Sequence, residues 1–218
     1  NSVRMLLQLM KIMRRFFFFN RSALLLAMFL TFSVQAQNIN ISLVSHHEPN
    51  TSPSIYYGDV WGEGNIACMG IWKGYAAAPY GVGVYDISNP ASPVYLSNYT
   101  VTTNANHNQF ELGVVRNKIG YFGSWSGGGL HIVSLTNAAA PVRLAKIGSA
   151  GGANGFDTIH TVFLERNFLY EAAHVNNVNT VKVIDVSNPS APFFVRNIVS
   201  TNASKVHQIT AVQKGAST

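Results

Sequence analysis

Cysteine is almost absent from this chain: Cys68 is the only one in 218 residues. A disulfide framework is therefore excluded, and a lone cysteine inside the apolar run 66–71 reads as a small core side chain. Charged residues are scarce too, at 11% against about 25% in an average domain. The charge that exists is unevenly placed. Five of the 15 Lys and Arg (Arg4, Lys11, Arg14, Arg15 and Arg21) fall in the first 36 residues, and all nine acids fall after them. The remainder thus has ten cations against nine anions, so the net charge of +6 belongs to the N-terminal segment. No basic cluster is left to neutralise phosphates, and no nucleic-acid partner is expected. Helical periodicity is missing after residue 36 as well. Glycine, asparagine, serine and threonine fill the gap, which suits a turn-rich β protein.

Long apolar runs are likewise lacking. The segment Ala23 to Val34 is shorter than the ~20 residues a spanning helix needs. It follows the basic residues Lys11, Arg14 and Arg15 and the aromatic run Phe16 to Phe19. It ends at Val34-Gln35-Ala36, with small residues at the −3 and −1 positions. This pattern predicts a helical signal peptide over 1–36, cleaved after Ala36. The mature protein is then secreted, periplasmic or at the cell surface, with no membrane span after cleavage. An uncleaved N-terminal anchor is the competing reading. Residues 37–53 form a polar lead-in containing His46 and His47.

What is abundant is internal repetition. Three stretches align: GVGVYDISNPASPVYL (81–96), GGLHIVSLTNAAAPVRL (128–144) and NTVKVIDVSNPSAPFFV (179–195). Each begins with a β-branched strand. Asp86 and Asp185 precede the turn, where a carboxylate can accept backbone N–H groups. Asn89, Asn137 and Asn188 mark the reversal, and Pro93, Pro141 and Pro192 open the next strand, where a missing N–H does least harm. The middle copy has Ser134 in place of Asp and Ala138 in place of the first Pro, so its turn should be the loosest. Two further apolar runs lie upstream of each copy. The expectation is an all-β fold of four-stranded antiparallel propeller blades. The blades span about 54–105, 106–157 and 158–204, with a partial blade at 205–218.

The turn motif V-x-V-x-D-[IV]-S-N-P-x-x-P resembles the LVIVD repeat of bacterial and archaeal surface proteins. Tyr57-Gly58-Asp59-Val60-Trp61-Gly62 is similar to the opening of the related choice-of-anchor B proteins. The resemblance covers about residues 54–214. It implies a β-propeller exposed at the cell surface, without implying an activity. A propeller closes with about 4–8 blades, so further blades of the same chain are expected as partners of these. A 37–218 fragment alone is expected to aggregate.

Three histidines stand out. His107, His160 and His207 recur at spacings near the repeat length, each at the start of a first strand. In a propeller those strands line the central channel, where equivalent side chains converge. A ring of imidazoles, completed by Asp59 in the first repeat, would suit a divalent transition metal such as Zn or Cu. The structural alternative is that these histidines tie blades together through hydrogen bonds. His131 and His174 read as weaker candidates, and paired carboxylates are not evident. Trp61, Trp72 and Trp125 either line a binding face or pack between blades. No nucleophile elbow or phosphate cradle is present in the pattern. The sequence therefore favours a surface module that binds a protein or glycan. A metal-dependent propeller enzyme, hydrolase or oxidoreductase, is the alternative.

Overall fold

The structure is a computed structural model that describes residues 42–47, 56–73, 81–101, 110–124, 128–148, 158–173, 180–199 and 206–211. The signal segment 1–36, His107, His174 and Trp125 lie outside the described residues, as does the side chain of Trp72. Among the described residues no helix is long and apolar enough to cross a membrane.

The described residues form twelve strands in three sheets. Blade 1 holds β1 (Tyr56–Glu63), β2 (Ile66–Lys73), β3 (Val82–Asp86) and β4 (Val94–Tyr99). Blade 2 holds β5 (Phe110–Arg116), β6 (Ile119–Ser124), β7 (Gly129–Ser134) and β8 (Val142–Ile147). Blade 3 holds β9 (Ile159–Glu165), β10 (Phe168–Ala173), β11 (Thr180–Asp185) and β12 (Phe193–Val199). Every neighbouring pair is antiparallel and in sequence order, as in a meander. The fold is therefore all-β, built of propeller blades.

Turn chemistry sets these strands. Between β5 and β6, Asn117 and Lys118 both adopt left-handed conformations, at φ 54° and 59°. That is the geometry a two-residue hairpin needs to match strand twist. After β3 the Asp86 carboxylate accepts the Ser88 N–H at 2.8 Å, and Asp185 does the same for Ser187 after β11. Both carboxyls are held below their ordinary range by these bonds to serine. In the middle copy the Ser134 hydroxyl takes the Thr136 N–H at a longer 3.3 Å. The rest of that turn is not looser, contrary to the sequence expectation. Asn137 accepts the Ala139 and Ala140 N–H groups just as its counterparts Asn89 and Asn188 do in theirs. The asparagine side chain, present in all three copies, does the work whether or not proline follows it. Pro93, Pro141 and Pro192 each sit directly before an outer strand.

The blades pack face to face. Cys68, Val82, Val84 and Val101 of blade 1 meet Val115, Phe122, Val133 and Leu135 of blade 2. Val114, Leu130 and Ile132 of blade 2 meet Leu164, Leu169, Ile184 and Val186 of blade 3. Alternation along each strand supplies both faces, which is why Val114 and Val115 belong to different interfaces. A fully buried side chain such as Ile132 or Leu169 contributes about 1.5–3 kcal/mol. Close approach between blades 1 and 2 needs glycine at two points. A Cβ on Gly58 would lie 2.2 Å from the Glu111 carbonyl oxygen, and one on Gly70 would lie 2.2 Å from that of Phe110. The lead-in segment is not merely solvated: the Ser45 hydroxyl donates to the Pro90 carbonyl at 2.6 Å, and the His47 ring meets Tyr85 edge-on at 5.6 Å.

Candidate functional site

The first strands β1, β5 and β9 are the inner edges of their sheets, and they pack side by side. Each carries a register shift near its start. In β5, Phe110 pairs with Ser124 and Leu112 with Gly123, leaving Glu111 as the extra residue. In β9, Ile159 pairs with Ala173 and Thr161 with Ala172, leaving His160 as the extra residue. β1 has two shifts, one between Tyr56 and Tyr57 and one between Tyr57 and Val60 that contains Gly58 and Asp59. A bulge bends a strand and re-aims its side chain. Counted back from the hairpins, the blade 1 counterpart of Glu111 and His160 is Gly58, and its neighbour Asp59 in the same bulge lines one cleft with Glu111 and His160.

The cleft has a volume of about 550 Å³ and is completed by segment 206–211, which contributes His207 and Thr210. The His160 and His207 rings stack at 4.1 Å between centroids, tilted by 51°. The Thr161 hydroxyl donates to the His207 carbonyl at 2.6 Å. Its only proton is thereby used, so the contact of 3.0 Å between its oxygen and His160 Nδ1 requires Nδ1–H as donor. The tautomer of His160 is thus fixed by its neighbour. In this arrangement His160 Nδ1 donates to Thr161 and does not accept its proton. His160 Nε2 points toward Glu111 Oε1 at 3.6 Å, beyond hydrogen-bond length. Burial pushes the Glu111 carboxyl above its ordinary range, against the pull of His207.

Trp61 packs between blades, one of the two roles that the sequence left open for tryptophan, and its ring also lines the cleft. Its Nε1–H donates to the Val115 carbonyl at 3.1 Å, bridging blades 1 and 2, while the ring stays 40% exposed in the cleft wall. Cys68 is a core residue, as expected, with its thiol pushed up to about 12 by burial.

The inner-strand register differs from the sequence expectation. Counting back from the hairpins 117–118 and 166–167, the blade 2 counterpart of His160 is Glu111, not His107. His207 lies in a segment without assigned strand pairing, not at the start of a strand. Of the expected metal ligands, Asp59, His160 and His207 do line one cleft. Among the described residues, however, no three His, Cys, Asp or Glu are grouped as a metal site. Glu111 was missed because its acid was taken as one of several scattered carboxylates. The hairpin count was the signal that reveals it. His131 is a structural residue and not a weak ligand candidate: it is fully buried, with Nδ1 2.7 Å from the Tyr99 hydroxyl.

Comparison with known proteins supports the repeat. The computationally designed Ika4 protein, known from a crystal structure, superposes with a TM-score of 0.54 at 14% identity, over 78% of this chain and 88% of that one. That likeness concerns the fold alone. No relative is found among curated proteins. The family described as the LVIVD repeat matches residues 56–101 and 162–200, so the chain carries LVIVD repeats in its first and third blades.

Proposed function

We propose that this protein is an exported, non-catalytic β-propeller module that binds a protein or glycan at the cell surface or in the periplasm. The observation that carries this reading is the cleft where three equivalent bulges converge. Repeated scaffold positions normally keep the same residue type for packing. The bulges instead hold Gly58-Asp59, Glu111 and His160, and so present different polar groups to one open cavity, the pattern expected of a ligand site grafted on a scaffold. The predicted signal segment supports export, and the similarity of residues 57–62 to choice-of-anchor B proteins supports surface placement. The use of the Thr161 proton on the His207 carbonyl, with His160 Nδ1 as donor, supports binding over catalysis.

The test is a peptide and glycan array probed with the full chain and with Thr210→Arg. Thr210 is exposed and lines the cleft, so the longer side chain blocks the cavity without touching the core. Binding that Thr210→Arg abolishes is the expected result. Binding unaffected by that substitution places the site elsewhere and defeats the reading.

A further inference from the structure

The cleft is biased in charge. Asp59 and Glu111 face it with two imidazoles, and no lysine or arginine is among the described residues lining it. Glu111 carries the sharper signal. Its Oε2 is buried and has no hydrogen-bond partner among the described residues. An unpaired buried carboxylate oxygen is costly, and a cation drawn to the exposed remainder of the same carboxyl, 23% of the side chain, offsets part of that cost. His160 does not supply the donor, since its Nε2 faces the other oxygen.

The surroundings indicate what kind of donor fits. Trp61 and Tyr57 line the same wall, and the indole is held in place by its bond to Val115. Aromatic faces attract cations, and a carboxylate binds a charged donor about twice as strongly as a neutral one. The backbone adds a second constraint. β1, β5 and β9 are the edge strands of their sheets, so one side of each is left unpaired within its own sheet. Edge strands can take up the main chain of an extended peptide. A sugar offers no such matching row of donors and acceptors.

Resting on the binding-module reading, we propose that the cleft selects a lysine or arginine side chain from an extended polypeptide segment, with Glu111 as its principal anchor and Asp59 as a second, exposed carboxylate. The ligand's cationic group lies against the exposed part of the Glu111 carboxyl that lines the cleft, with Trp61 beside its aliphatic stem.

The test is fluorescence anisotropy with the full chain and three labelled probes: oligolysine, oligoglutamate and a glucosamine oligomer. Glu111→Gln and Asp59→Asn are measured alongside, each checked for folding by thermal melt. The expected result is binding of oligolysine, weakened by added salt, with no binding of oligoglutamate. Glu111→Gln weakens it about tenfold, equivalent to about 1.4 kcal/mol, and Asp59→Asn less. Should Glu111→Gln fail to fold, loss of affinity in Asp59→Asn serves as the readout. Equal affinity for oligoglutamate overturns the proposal, as does oligolysine binding that neither substitution weakens. Binding of the glucosamine oligomer alone overturns the choice of a peptide. A neutral ligand blocked by Thr210→Arg upholds the binding module and defeats cation selection. No binding in either experiment defeats both.

Discussion

The two blade interfaces solve the same packing problem in different ways. Between blades 1 and 2, Tyr99, Phe110, Phe122 and His131 form a cluster of rings with centroids 5.3–6.5 Å apart. The imidazole is satisfied on both sides, by the Tyr99 hydroxyl at 2.7 Å and the Gly128 carbonyl at 3.2 Å. Between blades 2 and 3 the equivalent positions hold Ile147, Ile159, Glu171 and Lys182. Phe122 pairs across the strands with His131, as Glu171 does with Lys182. Glu171 is fully buried, and neither carboxyl oxygen has a hydrogen-bond partner among the described residues. Burial pushes its pKa up to about 8, although the nearby Lys182 charge works the other way. One interface thus has its polar group hydrogen-bonded on both sides, and the other encloses a carboxyl with no hydrogen bond among the described residues, opposite Lys182. A repeat scaffold tolerates both because each interface contributes separately to stability.

The largest test of this contrast is pH. The unfolded chain releases the Glu171 proton near 4.5, whereas the folded chain keeps it until about 8. Stability from this group is therefore fully present below 4.5 and is lost as pH rises through 8. The shift corresponds to a loss on the order of 5 kcal/mol across that window. Urea unfolding between pH 5 and 8 should show this decline in the parent and a flatter profile in Glu171→Gln. Parallel slopes would mean that the second interface is not the pH-sensitive one.

A smaller effect is expected at the first interface. Phe122→Leu keeps the site apolar but removes ring contacts with Tyr99 and Phe110, costing about 1–2 kcal/mol. That cost should be the same at pH 5 and pH 8, measured by the same unfolding curves. A pH-dependent cost would join the two interfaces into one coupled unit.

The finest probe is Cys68, which sits in the first interface with an inert, buried thiol. Its labelling by a thiol reagent reports opening of blades 1 and 2. Phe122→Leu should speed labelling about tenfold, the equivalent of about 1.4 kcal/mol. Glu171→Gln should leave the rate unchanged at pH 7. A change in the Glu171→Gln rate would show that the blades open together.

Much of the fold was legible from local chemistry. Asn89, Asn137 and Asn188 marked turns because asparagine bonds the backbone two residues on, and the structure shows those bonds. The strands around them followed from β-branched alternation. The inner strands were less legible because a bulge adds a residue without changing composition. His107 therefore looked like the partner of His160 by spacing, while the hairpins assign that place to Glu111. The charged residues inside apolar strands, Glu171 and Lys182, were visible in the sequence but carried no sign of burial there. Both faces of a central propeller strand are covered, so alternation does not say which polar residue is enclosed.

By itself the sequence determined the repeat, its turn register and the antiparallel four-stranded blade. Those depend on residues close in the chain: the asparagine turns, the prolines and the alternating strands. Only the tertiary structure decided which side chains share a cleft and which acid is cut off from water. Asp59, Glu111 and His160 meet because three bulged edge strands from separate blades converge. That convergence depends on how blades pack, with Gly58 and Gly70 permitting the approach, and packing of distant segments leaves no local mark in the chain.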